Sequence, residues 1–191
     1  MMRKTAILVI DVQNAYLPGQ KWACASIAEA IPNIKKLCSE RKDALMLFIR
    51  HVPSRDPQGT WMEYNRLNVD VNADSWLNEL TDDMKELVAE SGAPVIDKSL
   101  YSAWKAKEVR AMLEGVDAVV VAGVVAECCV LSTVFDLIDA GKYVFYLVDA
   151  ISGVNGEVEA ATVAVLKGLE YVHLRITTTE DYLNLKSSVE P

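Results

Sequence analysis

At 191 residues, 51% of them hydrophobic, the chain has the length for one well-buried core and is short for two. The 19 basic residues against 27 acidic ones leave a formal net charge of -8, and no Lys/Arg run exceeds Lys35-Lys36, which argues against nucleic acid as a partner. No apolar stretch reaches membrane-spanning length, and the cysteines at 24, 38, 128 and 129 form neither a CxxC pair nor a secreted-type framework, so a reducing, cytoplasmic setting with no membrane partner is expected.

The first run, TAILVID (5–11), follows a basic start, but Asp11 interrupts it too early for a signal core, so it reads as a strand. Residues 25–40 place Ile27, Ile31, Ile34 and Leu37 at helical spacing, and ALMLFIR (44–50) is a second strand. From about Pro53 to Pro94 no strand pattern is present. Residues 53–74 read as an unstructured loop carrying Trp61 and Tyr64, while Leu77, Leu80, Met84 and Leu87 predict one or two short helices near its end. A loop that long inside a compact domain is usually functional. PVID (94–97), DAVVVAG (117–123), YVFYLVD (143–149) and the weaker YVHLRI (171–176) are the remaining strands. Helical patterns cover 104–113, 127–140 and 156–168, with Gly115 and Gly141 as stops, and a short helix is expected in 178–191 behind the Thr177–Thr179 caps. The strands are apolar on both faces, as buried parallel strands are, and their alternation with helices predicts a doubly wound α/β sandwich, one domain over 1–191.

In such sheets ligands bind beyond the carboxyl ends of the strands. Asp11 and Gln13 stand there after the first strand, Arg50 and His51 after the second, Asp97 and Lys98 after the third. The fourth delivers Gly123 and then Glu127, Cys128 and Cys129 into a helix start, where peptide dipoles favour thiolate and free N–H groups can hold an oxyanion. A carboxylate, a lysine and a thiol at one edge complement one another: Lys98 stabilises thiolate and Asp11 carries a proton. Taken singly, each has a plainer role as a cap, a solvated lysine or a buried small hydrophobe. Cys128-Cys129 as a redox pair is disfavoured, because neighbouring cysteines bridge poorly.

Three blocks in order, Asp11-x-Gln13-Asn14, Lys98-x-x-x-Ser102-Ala103-Trp104 and Gly123-Val124-x-x-x-x-Cys129-Val130, together resemble the isochorismatase-like cysteine hydrolases over nearly the whole chain. The resemblance implies a six-stranded, mainly parallel sheet in a three-layer sandwich and an Asp11-Lys98-Cys129 triad. It selects Cys129 as nucleophile, since that cysteine precedes the valine, and leaves Cys128 to core packing. It also implies a non-proline cis peptide near Val124–Val125, an oxyanion hole from the N–H groups of Val125 and Cys129, a substrate-facing Tyr16, and a homo-oligomer, dimer or tetramer. Gln13, Trp61 and Trp104 are further candidate substrate contacts, with core packing as the alternative for Tyr16, Trp61 and Trp104 and a subunit contact as a further one for Trp61.

Two positions depart from the family pattern: Ala126 replaces the usual Thr, and Glu127 stands where Asn or Asp is common. A carboxylate at 127 turned inward would raise the thiol pKa, so it is expected to point away. Two isolated histidines, His51 and His173, cannot build the zinc site of metal-dependent relatives, so no metal or other cofactor is expected. The expected activity is carbon-nitrogen hydrolysis of a small amide, ureide or carbamoyl substrate through a thioester. Vinyl ether hydrolysis of the isochorismatase type, or a catalytically silent binding protein, is the alternative.

Overall fold

The structure, a computed structural model, describes residues 4–185. Six strands, β1 (Thr5–Ile10), β2 (Leu45–His51), β3 (Val95–Lys98), β4 (Ala118–Val124), β5 (Tyr143–Ser152) and β6 (Leu174–Thr177), form one sheet in the order β3-β2-β1-β4-β5-β6. Every neighbouring pair is parallel. Strand order therefore reverses between β1 and β4, which opens a crevice at their carboxyl ends.

Helices cover both faces, because every central strand is apolar on both. On one side α1 (Ile27–Glu40), α4 (Asp82–Ser91) and α8 (Thr179–Leu183) bury Ile34, Leu37, Met84 and Tyr182 against Ile7, Val9 and Phe48. On the other, α5 (Lys107–Met112), α6 (Leu131–Asp139) and α7 (Gly156–Lys167) bury Val109, Val134, Leu137 and Leu166 against Leu8, Ile10 and Val121. This is the expected three-layer α/β sandwich.

Residues 53–74 correct the sequence reading. They carry α2 (Thr60–Leu67) and α3 (Val69–Asn72), not an unstructured loop. Helix α2 buries no residue, so it lacks the core-facing stripe by which a helix is recognised in sequence. The sixth strand begins at Leu174, not Tyr171. Tyr171 is left-handed (φ 72°) and 88% exposed, which shows that apolar content alone does not specify burial. The expected C-terminal helix is α8, and residues 186–191 lie outside the described part.

Candidate active site

Three buried groups meet at the crevice. Lys98, the last residue of β3, places its Nζ 2.7 Å from Asp11 Oδ2, 3.4 Å from Cys129 Sγ and 3.0 Å from the Leu100 carbonyl. Those three contacts use all three ammonium protons. The Asp11 and Lys98 side chains are 0% and 1% exposed, and Cys129 is 4% exposed.

Local backbone explains how the sequence brings them together. Asp11 takes a left-handed conformation (φ 53°), which Asp tolerates better than most residues, and this takes it out of the β1 pleat at the strand end. Gly123 (φ 111°) lies beside Ile10, where an added Cβ would stand 2.1 Å from the Ile10 carbonyl oxygen, so only glycine lets β4 run this close to β1. The Val124–Val125 peptide that follows is cis.

Cys129 does not sit in an ordinary helix start. Residues Ala126–Val130 form a π-turn ahead of α6, in which the Val125 carbonyl accepts from Cys128 N and Val130 N at 3.1 Å each. The N–H of Cys129, between those two, is outside that pair of bonds. Such π-turns are common at functional sites. Thr133 holds the turn from below: its Oγ1 donates to the Cys129 carbonyl (2.7 Å) and accepts from Ala103 N (2.9 Å), tying the nucleophile's loop to the segment after Lys98.

The electrostatics overturn the expected resting thiolate. Burial raises the Cys129 thiol well above its ordinary pKa, the Asp11 charge raises it further, and Lys98 opposes both without prevailing. Cys129 lies within a turn of the start of α6 at Leu131, so the helix dipole assists Lys98, but its roughly 0.3–1 kcal/mol is small beside the cost of burial. Burial also works against the Lys98 charge, but Asp11 and Cys129 beside it hold the ammonium protonated. Burial thus favours a neutral thiol at Cys129 beside the Lys98 ammonium.

Glu127 turns away from the thiol, and its Oε1 accepts from Val154 N at 3.2 Å. Cys128 is half-buried, so it is not the core residue expected. Gln13 also departs from expectation as a substrate contact. Its Nε2 donates to the carbonyls of His51 (3.0 Å) and Asn78 (2.8 Å), and its Oε1 accepts from His51 N (2.8 Å), so both amide protons serve the fold. Trp104 packs against the core on the α5–α6 side.

Tyr16 and Trp61 belong to a chain of rings. Tyr16 meets Trp22 at 5.7 Å, Trp22 meets Tyr64 at 6.4 Å, and Trp61 meets Tyr64 at 5.1 Å and Tyr101 at 4.9 Å. Tyr16, Tyr64 and Tyr101 are all electrostatically coupled to Cys129, which places this wall beside the thiol, and burial raises all three phenols, Tyr64 to about 12. Sequence reasoning missed Trp22 and Tyr101 as wall residues, whereas Tyr64 stood with Trp61 in the segment already expected to be functional. The only signal for Trp22 and Tyr101 was aromatic clustering in segments without a core pattern.

Comparison with known proteins decides the family, because the Isochorismatase domain matches residues 5–181. The chain belongs to the isochorismatase family. An uncharacterized isochorismatase family protein of Bacillus subtilis (strain 168), YddQ, is 26% identical over 94% of this chain and 98% of its own length. The isochorismatase-family fold is also that of a cysteine hydrolase from Pseudomonas syringae (TM-score 0.78, 22% identity, 94% of this chain and 91% of that one). A zinc-bound pyrazinamidase from Pyrococcus horikoshii shares it too (TM-score 0.69, 21% identity, 92% and 99% covered).

The donor set here does not fit a zinc centre. Among the described residues no group of three or more His, Cys, Asp and Glu side chains could hold a metal, and the neighbour of His51 is the Lys98 ammonium. Among the described residues, no helix is long and apolar enough to cross a membrane.

Proposed function

We propose that this chain is a cysteine-dependent amidohydrolase that cleaves a carbon-nitrogen bond of a small amide, ureide or carbamoyl substrate through a thioester. The position of Lys98 supports this above all: one buried ammonium 2.7 Å from a carboxylate and 3.4 Å from a thiol. Proton transfer from Cys129 to Asp11 across that ammonium leaves the net charge of the buried group unchanged, so a nucleophile forms without creating a new charge in a dry site.

The thiolate attacks the carbonyl carbon, and the oxyanion rests on the N–H groups of Val125 and Cys129. One such donor is worth roughly 2.7–4 kcal/mol in other hydrolases. Protonated Asp11 then donates to the leaving nitrogen as the carbon-nitrogen bond breaks, releasing ammonia or an amine. Asp11, a carboxylate again, takes a proton from water, which attacks the thioester, and the acid leaves as the thiol is restored. No step uses a metal or another cofactor.

The same proposal takes residues 1–191 as one cytoplasmic domain, with its free thiols reduced, in a homo-oligomer. The exposed apolar residues Val154, Val165, Tyr171 and Val172 support self-association. The test is ammonia release from a panel of small amides and ureides by the wild type, Cys129→Ala and Cys128→Ala. Turnover that survives Cys128→Ala and disappears in Cys129→Ala supports the proposal, and the reverse pattern overturns it.

A further inference from the structure

His51 is a buried ionisable group beside the triad that this mechanism leaves unused. It ends β2 and pairs in register with Lys98, the end of β3. Strand alternation puts its side chain on the face of Leu47 and Ile49, the face that Ile96 and Lys98 also share and against which Cys129 packs. Its backbone is clamped at both ends, with N–H donating to Gln13 Oε1 at 2.8 Å and the carbonyl accepting from Gln13 Nε2 at 3.0 Å. Only 5% of the residue is exposed, yet neither Nδ1 nor Nε2 has a hydrogen-bond partner among the described residues.

Most buried polar groups are paired, and an orphan typically loses about 1–3 kcal/mol, so an imidazole on a clamped backbone with both buried nitrogens unpaired gains from a partner outside the chain. Burial first, and then the Lys98 charge, lower its pKa to about 4, with Asp11 opposing, so the ring is neutral near pH 7. A neutral imidazole offers one N–H and one lone pair.

We infer that His51 is a substrate-binding residue that receives an uncharged group able both to accept and to donate a hydrogen bond, a carboxamide or ureide, and discriminates against a carboxylate. This rests on Cys129 being the nucleophile. A carboxylate fills only the N–H side of the ring and leaves the other nitrogen unpaired. Lys98 cannot rescue it, because its three protons already go to Asp11, Leu100 and Cys129.

A matched pair of thiol reagents tests this without a known substrate. Iodoacetamide and iodoacetate differ in carboxamide against carboxylate, and each forms an S–CH2 bond at Cys129 as iodide leaves with its electron pair and the thiol proton is lost. Alkylation of Cys129, followed by peptide mass spectrometry, is expected to fall about 5- to 10-fold for iodoacetamide in His51→Leu, the loss of one or two hydrogen bonds. The iodoacetate rate should stay within about twofold. His51→Asn, which keeps a donor and an acceptor, should retain most of the iodoacetamide rate, and His51→Ala gives the same comparison if His51→Leu does not fold. An unchanged ratio of the two rates, equal slowing of both, or no alkylation of Cys129 by either reagent overturns the role of His51. The separate ammonia assay with Cys129→Ala tells whether the amidohydrolase proposal falls with it.

Discussion

Asp11, Lys98 and Cys129 stand at the carboxyl edge of one parallel sheet, each 5% exposed or less, and each is held by backbone that the sheet dictates. Trp61, Tyr64 and Tyr101 come from α2 and from the segment after β3; α2 buries none of its residues, and Tyr101 is 39% exposed. The first region is fixed by its ion pair, because moving Asp11 or Lys98 would leave a charge buried without its partner. The second is held mostly by ring contacts worth about 0.5–1.5 kcal/mol per pair beyond burial. The floor of the site is therefore built for one chemistry, while the wall can vary without disturbing it.

The comparison is broken most directly at the floor. Cys129→Ala should lower turnover on the order of 10³-fold or more in the ammonia assay, whereas Cys128→Ala should stay within a few-fold. A large loss in Cys128→Ala would mean that the half-buried thiol belongs to the reacting set. Lys98→Met should abolish turnover and also cost about 3–5 kcal/mol in denaturant unfolding, because it strands the Asp11 carboxylate. Wild-type stability without Lys98 would show that the ion pair is not buried in solution.

The histidine beside the floor sharpens the contrast through pH. With a folded pKa near 4 against about 6.5 unfolded, His51 takes up its proton in the unfolded chain first. Stability is then lost as pH falls from about 6.5 to 4, by about 3 kcal/mol, and the measurement is the difference in pH dependence between wild type and His51→Asn. At the thiol the sign is opposite for reactivity: the raised Cys129 pKa predicts that iodoacetamide alkylation keeps rising through pH 8.5. A plateau below that pH would mean a resting thiolate. The smallest effect belongs to the wall, where Trp61→Ala should raise KM roughly three- to tenfold with little change in kcat, consistent with the loss of one aromatic contact.

Much of this was legible in the sequence. Both-face apolar runs such as Ala118–Val124 announce buried parallel strands, and their alternation with helices specifies the sandwich. The family motifs mark Asp11, Lys98 and Cys129, and the structure places Asp11 and Cys129 both within contact of the Lys98 ammonium. Helix α2 was not legible, because it buries none of its residues and so carries no core-facing stripe. Nor was the role of Gln13, whose type suggests a ligand and whose three hydrogen bonds fasten β2 to the loop at Asn78.

What the sequence determined by itself is the set of strands, their order of use and the chemical types at their ends, because periodicity and composition are local properties of a chain. What only the tertiary structure decided is the charge state and exposure of those types. The neutral thiol of Cys129, the fully committed protons of Lys98 and the unpartnered imidazole of His51 depend on how much water is excluded and which groups lie within a few ångströms. Both follow from segments far apart in the chain closing on one crevice.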